Sequence, residues 1–405
     1  MWNGFGVLVY PRDQRFGVVG MASRILLWQW GRRGGGPKCL VELARAMAAR
    51  GNIEVHLSVS RQAEILPEMR ALGLPLHLVS TYAGARQFAL SFARLPAVRR
   101  DFLRYIEANG IDTVIAVMSH LWNPLIVDGL RRRRVKLVTE VHDAAPHPGD
   151  AYPLRQRMLA RELRFSDRVV ALTDHVAQGI VANFGYPRAR IAVIPHGVFR
   201  FEAERMSGGG MSGGEAKGAR RAPRGRPFRF LFFGRLIAYK GLDLLLDAMG
   251  RLDPALPVEV VVAGSGDPGA EVLARLAADP RIRLDRRWIA ETEVPALFAG
   301  ADAVLAPYRE ASQSGVVAAA YGAGLPTVAT PVGGLVEQIL DPRSGIESGL
   351  IAESLTPAAF AAAMTRLASD PVLYERLAAN VVATAAGPLS WDAIAARFER
   401  LVENL

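Results

Sequence analysis

The chain reads as an α/β protein of two doubly wound units, and three features predict it. Short apolar runs alternate with amphipathic stretches of helical period, the pattern of parallel strands covered by helices on both faces. The alternation stops once, in a basic stretch rich in Gly and Ser, and then starts again. At 405 residues, half of them hydrophobic, the chain exceeds one ordinary core and has apolar side chains enough for two. Ligands of such sheets bind outside the carboxyl ends of the strands, so a cleft between the two units is the expected active site.

Residues 1–23 form an N-terminal extension ahead of this pattern. Pro11, Arg12, Asp13 and Arg15 leave residues 1–20 without an apolar region of signal-peptide length. Met21-Ala-Ser-Arg then leads straight into the first strand, so either translation starts at Met21 or residues 1–20 form an unstructured arm. The first unit is expected over 24–200, with strands at Ile25–Trp28, Val55–Val59, Thr113–Val117, Lys136–Val141, Arg168–Leu172 and Ile191–Ile194. Between them lie helices such as Lys38–Arg50, with Leu40, Leu43 and Met47 on one face. Cys39, the only cysteine, excludes an intrachain disulfide and fits a reducing cytosol. Among Lys38, Leu40 and Val41 it reads as a small packed thiol rather than a nucleophile.

Residues 201–227 are read as a basic linker, with Ser207-Gly-Gly-Gly-Met-Ser-Gly-Gly214 as its flexible heart. The second unit is expected over 228–385, with strands at Phe228–Phe233, Glu259–Ala263, Val304–Ala306 and Thr327–Thr330, and a closing helix within 386–405. The stretch from Ala311 to Val336 carries no charge and is long enough to raise a membrane span. Gly322, Gly324, Pro326, Pro331, Gly333 and Gly334 break it, so a buried helix–strand pair is expected there.

The formal net charge of +10 is unevenly spread. Residues 200–229 hold eight Arg and Lys against three Glu, which puts much of the basicity in the linker. A second group, Arg94, Arg99, Arg100 and Arg104, alternates with Leu90, Phe92, Leu95, Val98, Phe102 and Ile106 in one or two helices. It is either a solvated helix face or a patch that meets anionic lipid headgroups or a lipid diphosphate acceptor. Arg131–Arg134 reads as a solvated helix end. No nucleic-acid recognition motif is present, so no nucleic-acid partner is expected.

The densest chemical signal is Phe230-Leu-Phe-Phe-Gly-Arg-Leu-Ile-Ala-Tyr-Lys-Gly-Leu-Asp-Leu-Leu-Leu-Asp-Ala-Met249. An apolar strand stops at Gly234, a short exposed loop carries Arg235 and Lys240, and Gly241 opens an amphipathic helix. Two fixed cations beside a helix N-terminus either make a site for a diphosphate or are solvated on a surface strand–turn–helix. The first strand likewise runs into Gly31-Arg-Arg-Gly-Gly-Gly-Pro37, whose glycines let a backbone approach a phosphate or sugar. Its spacing does not fit a dinucleotide fingerprint. Two further strands end in His residues, Ser119-His120 and His142-Asp143, where an imidazole can face the cleft.

Taken with their order, these segments resemble the retaining family 4 glycosyltransferases of bacterial group 1 type, which have the GT-B fold. The resemblance covers Arg24 to the C-terminus, apart from a non-matching insert near 201–227. It implies that Arg235 and Lys240 hold the donor diphosphate, with His142 at the donor sugar and Glu310 matching the first of the family's two Glu residues. These four are the implied catalytic set. It also implies donor contacts from Gly34, Gly35, Gly36, Gly234, Gly264, Gly266, Ile289, Ser314, Gly315 and Val316, the last three by N–H groups at a helix start. His120 lies on the acceptor side, and Trp288 is expected at a core edge. The Pro-His-Gly-Val segment around His196 and the Gly-Gly-x-x-Glu segment ending at Glu337 match as well, and the last helix resembles one that packs back towards the first domain. The departure is at Ala319, where the family's second Glu, which commonly holds the ribose, is absent.

The implied activity is transfer of a hexosyl group from a nucleotide-diphospho-sugar to a hydroxyl on a glycan or lipid-linked acceptor, with retention of configuration. No Asp-x-Asp pair exists, so no metal ion and no further cofactor are expected. A cytoplasmic location, possible contact with the inner membrane face included, follows from the same resemblance. Two other readings stay open at this point. One is a nucleotide-sugar 2-epimerase on the same fold, with His120, Asp143 and Glu310 as acid/base groups. The other is a non-catalytic nucleotide-sugar-binding partner, suggested by the loss at Ala319.

Overall fold

The structure, a computed structural model, describes residues 23–82, 92–146, 155–200, 220–342 and 344–405. The expected N-terminal arm, the Gly/Ser heart of the linker and Leu90 lie outside the described residues.

The first half is a seven-stranded, all-parallel sheet in the order β3-β2-β1-β4-β5-β6-β7. Its strands are β1 (Arg24–Gln29), β2 (Glu54–Ser60), β3 (Leu76–Val79), β4 (Thr113–Ala116), β5 (Lys136–Val141), β6 (Arg168–Ala171) and β7 (Ile191–Val193). The second half repeats the plan with six parallel strands in the order β10-β9-β8-β11-β12-β13. These are β8 (Phe228–Phe233), β9 (Val258–Gly264), β10 (Ile282–Arg286), β11 (Ala303–Ala306), β12 (Thr327–Ala329) and β13 (Gly349–Ile351). Two facing doubly wound sheets of this kind are the GT-B architecture.

Central strands read as continuous apolar runs because helices cover both their faces. Ile25, Leu26, Leu27 and Trp28 of β1 are all fully buried, as are Phe230 and Leu231 of β8. Three strands escaped the sequence reading: β3, β10 and β13. Each lies at a sheet edge, where half the side chains reach solvent and the apolar run is lost; β10 is Ile-Arg-Leu-Asp-Arg with no fully buried residue.

In each sheet the strand order reverses beside the first strand, between β1 and β4 and between β8 and β11. That reversal opens a crevice at the strand carboxyl ends. The glycine-rich turn follows β1 and the Arg235–Lys240 loop follows β8, so the sheets bring both to their crevices.

Several contacts tie the halves together. The Glu337 carboxylate accepts the N–H groups of Asp174 (2.6 Å) and His175 (2.8 Å) at the start of the helix Asp174–Phe184. The Thr173 hydroxyl donates to the Ser312 carbonyl at 3.0 Å. The last helix, Trp391–Glu403, lies against the first helix, Gly35–Arg50, where Arg50 donates to Glu399 (2.9 Å) and Asp392 (2.8 Å). Trp391 donates its indole N–H to the Val198 carbonyl at 2.6 Å.

The end of the linker is not free chain. Arg226 grips Asp302 with two bonds of 2.7 Å, and Arg220 donates to the Ala301 carbonyl at 2.7 Å. Part of the linker's basicity is thus structural. In the basic helix Leu95–Ala108, Arg99 forks onto Asp128 while Arg100 and Arg104, with Arg94 just before the helix, stand exposed. The charge-free stretch 311–336 resolves into the helix Gly315–Gly322 followed by β12. No helix among the described residues is long and apolar enough to cross a membrane.

Candidate active site

A cavity of about 340 Å³ lies between the two sheets at their carboxyl ends. The first half brings Gly34, Gly35, Lys38, Met118, His142, His196 and Phe199 to it. The second brings Gly234, Arg235, Lys240, Gly264, Trp288, Ile289, Gln313, Gly315, Val316 and Ala319.

Two strand-end turns form one wall. Gly264 closes β9 with φ 148°, a conformation costly for any residue with a Cβ, and an added Cβ would run into the Gly234 carbonyl. The turn after β8 can therefore lie flush on the turn after β9, with Arg235 and Lys240 on the cavity side. Arg235 is exposed and its guanidinium lies 3.4 Å from the Tyr239 hydroxyl.

Lys240 departs from the expectation of an exposed loop residue. It is half-buried, with its ammonium 3.6 Å from the Tyr308 ring centroid and 5.1 Å from that of Tyr239. Burial, with the Arg235 charge adding to it, pulls its pKa down from 10.5 to about 8, while Tyr239 and Asp143 oppose the shift. A desolvated cation held open to a cavity attracts an anion more strongly than a solvated one does.

His142 closes β5 with Nε2 2.6 Å from a Glu140 carboxylate oxygen, both side chains buried. The Gln313 amide nitrogen, a donor, lies 3.5 Å from Nδ1, which suits a ring that accepts there and donates from Nε2 to Glu140. His196 is locked in another way: Nδ1–H donates to the Gly197 carbonyl, and Nε2 accepts from the Cys39 thiol at 3.0 Å. Burial, with His142 nearby, drops the His196 pKa to about 4 and keeps the ring neutral. Burial likewise raises the Cys39 thiol well above its ordinary value. Cys39 is a packed donor, not a thiolate.

Several expected residues sit elsewhere. Gly36 is buried behind Gly34 and Gly35, and Gly266 packs under the Leu236 backbone; neither lines the cavity. Ser314 is buried, and its N–H is already donated to Gln338 Oε1 at 2.7 Å, which leaves Gly315 and Val316 as the helix start facing the cavity. Glu310 is half-buried outside the lining. Trp288 is no core residue: it is 42% exposed at the mouth, with the Arg33 guanidinium 5.4 Å from its ring.

His120 lines a separate cavity of about 210 Å³ with Trp30, Gly31, Arg32, Arg33, Thr81 and Tyr82, on the other side of the glycine turn. Its Nδ1 accepts the Trp122 N–H at 3.2 Å. Burial, with Arg32 adding to it, lowers its pKa to about 3, so the ring is neutral and its proton sits on Nε2.

Three features of the site carry no local sequence signal. Lys38 and Glu291 form an ion pair of 2.9 Å across the cleft, 253 positions apart. Gln313 reaches His142 from the opposite half. Tyr308 supplies the ring beneath Lys240. The Gly-Gly-x-x-Glu spacing singled out Glu337 but not its acceptor role across the halves.

Residues 33–199 match the description Glycosyltransferase Family 4, and residues 227–370 match Glycosyl transferases group 1. The D-inositol 3-phosphate glycosyltransferase of Thermomonospora curvata is 32% identical over 399 residues, covering 92% of this chain and 90% of that protein. The enzyme of the same name from Streptomyces bingchenggensis is 30% identical, with 97% and 92% covered. Among solved structures, Anabaena HepE in complex with UDP and glucose superposes with a TM-score of 0.69 at 17% identity, covering 95% of this chain and all of that one. The catalytic domain of Arabidopsis thaliana starch synthase IV, bound to ADP and acarbose, gives 0.68 at 15%, with 95% and 99% covered. These two share the fold. With both halves matched and relatives aligned along nearly its whole length, the chain belongs to glycosyltransferase family 4, group 1, and is a glycosyltransferase.

Proposed function

We infer that the enzyme moves a hexosyl group from a nucleotide-diphospho-sugar in the 340 Å³ cleft to a hydroxyl of an acceptor entering from the His120 side, with retention of configuration. The observation that carries this is the convergence of Arg235, Lys240 and the Gly315–Val316 helix start on one cavity: two cations and a helix N-terminus aimed at a single place suit a diphosphate.

In this reading Trp288 and Ile289 flank the nucleobase, and His142 and Gln313 meet the transferred sugar. The acceptor oxygen attacks the anomeric carbon on the face from which the diphosphate departs. The bond to the diphosphate oxygen breaks and the acceptor proton passes to that oxygen. Arg235 and Lys240 stabilise the charge that develops there, a contact that strengthens towards the transition state.

On the acceptor side, the neutral His120 offers Nε2–H, and Arg32 and Arg33 line the same cavity. That donor-rich, cationic lining suits an acceptor with an acidic group. A lipid diphosphate has one, and so does the D-inositol 3-phosphate in the relatives' names. For a lipid-linked acceptor, the exposed Arg94, Arg100 and Arg104 would meet the inner face of the cytoplasmic membrane.

The test is incubation with UDP-, GDP- and ADP-hexoses, each with and without phosphorylated and unphosphorylated acceptors. The expected result is sugar transfer that requires an acceptor, favours the phosphorylated one, and preserves the anomeric configuration by NMR. A sugar changed in the absence of any acceptor would replace this reading with epimerisation.

A further inference from the structure

We propose that Tyr308 is a positioning residue for the leaving-group cation: its buried ring holds the Lys240 ammonium in the cleft without neutralising it. The proposal rests on the transfer reading above and adds to it the device by which the lysine is kept charged, fixed and unspent.

A lysine that must meet a diphosphate has to be held in place while its charge stays available. A carboxylate partner would fix it but would also compete with the donor. Elsewhere in this cleft that is the arrangement: Lys38 is paired with Glu291 at 2.9 Å. Lys240 makes no ion pair among the described residues. It lies instead over Tyr308 at 3.6 Å, with Tyr239 at 5.1 Å as a second wall, the two rings 77° apart in orientation. A ring face attracts a cation through its quadrupole and leaves the net charge in place.

Tyr308 is itself immobilised. It is 1% exposed, its hydroxyl lies 3.2 Å from the Ser314 hydroxyl at the helix start, and its carbonyl accepts the Thr330 hydroxyl. The loops that carry the two residues are also locked together. Arg309 N–H donates to the Tyr239 carbonyl at 2.8 Å, and Gly241, with φ 69°, packs so tightly on the Pro307 carbonyl that a Cβ there would collide with it. The ring and the ammonium therefore cannot drift apart by loop motion alone. The bond to Ser314 links the same ring to the helix that presents Gly315 and Val316.

Among the described residues, few charged groups surround the ammonium. Arg235 comes from the same turn, and Asp143 from the opposite half, where it is engaged by Arg155 at 3.2 Å. The Tyr239 and Tyr308 phenols are the other titratable groups beside it among the described residues; the Tyr239 side chain also hydrogen-bonds the amine, and burial pushes the Tyr308 hydroxyl up to about 12, so it stays neutral. No described carboxylate pairs with the ammonium, so the Tyr308 ring face stabilises the protonated amine alongside Tyr239 and the more distant charge of Asp143.

The test compares Tyr308→Phe, Tyr308→Leu and Tyr308→Met in the full chain, reading kcat/KM for sugar transfer against pH. Phe keeps the ring and loses only the bond to Ser314, so the alkaline limb should stay where wild type has it. Leu and Met remove the ring, so the limb should move down by about 0.4 to 1.5 pH units, the range expected for losing one desolvated cation–π contact. A merely structural role would lower the melting temperature of these variants without moving the limb, and an unmoved limb in a folded Leu or Met variant overturns the proposal. A second measurement needs no mutant of Tyr308. The Lys240 ε-methylene protons, assigned by their disappearance in Lys240→Arg, should be shifted upfield by the ring current; ordinary lysine shifts would overturn the proposal. If Lys240→Ala itself turned over like wild type, the transfer reading of the loop would fail instead, and the ring-current result would still stand or fall separately.

Discussion

Replacing Lys240 by Met should make the protein more stable while removing most of its activity. Both effects come from one arrangement, a half-buried ammonium without an ion-pair partner among the described residues. Burial lowers its pKa from 10.5 to about 8, which at 1.36 kcal/mol per pH unit is a folding cost of about 3 kcal/mol. The ring contact returns about 0.5–2 kcal/mol of that, so the net gain from a neutral side chain of similar length is about 1–3 kcal/mol. The sign follows from linkage. Below pH 8 folded and unfolded chains both hold the proton, and the folded state bears the full cost. As the pH rises from about 8 to 10.5 the folded chain has released its proton while the unfolded chain still holds it, and stability rises across that window. Thermal melts of wild type and Lys240→Met should therefore differ most at pH 7, with the variant higher, and converge towards pH 10. Turnover should fall by roughly two to three orders of magnitude, the cost of removing one group that stabilises developing charge. A variant that melts below wild type at pH 7, or a difference independent of pH, would refute the reasoning about burial. Wild-type turnover would refute the diphosphate role.

Two further outcomes are expected. Ala319→Glu puts a carboxylate into the cavity wall, and a new charge-assisted bond to the ribose should tighten nucleoside diphosphate binding by about 1.5–3 kcal/mol in calorimetric titration; unchanged affinity in a well-folded variant would mean the ribose is held elsewhere. Glu337→Gln keeps the shape but removes the charge that accepts the Asp174 and His175 N–H groups at a helix start, so chemical denaturation should show a loss of about 0.5–2 kcal/mol, and an unaltered midpoint would show that the inter-half contact is neutral.

Much of the fold was legible because a fully covered strand has little choice of residue. Phe230–Phe233 and Ile25–Trp28 announce themselves as runs without a polar break. The edge strands did not, because Ile282–Arg286 has solvent on several side chains and reads as an ordinary polar stretch. In the site, what could be read was what lies within one turn: Gly234 through Gly241, the glycines after β1, and His142 at a strand end. Ser314 shows the limit of that approach. A helix start is visible in the sequence, but whether its first N–H is free depends on Gln338, twenty-four positions away.

The same limit applies to charge, and here it bears on function. The sequence displays Lys38, Arg235 and Lys240 as equivalent cations near glycine-rich turns. Folding separates them: Lys38 is spent on Glu291, whereas Lys240 is lodged against an aromatic ring. Which cation can stabilise a departing diphosphate is decided by its counter-ion, and the counter-ion is chosen by the packing of two sheets against each other. A loop motif therefore identifies the chemistry that a site can host; in the transfer reading proposed above, the packing that gives Lys240 an aromatic ring rather than an ion pair among the described residues keeps its charge for the donor. By this argument Tyr308 is as much a part of the leaving-group site as the lysine it supports, though nothing in its own segment of sequence marks it out.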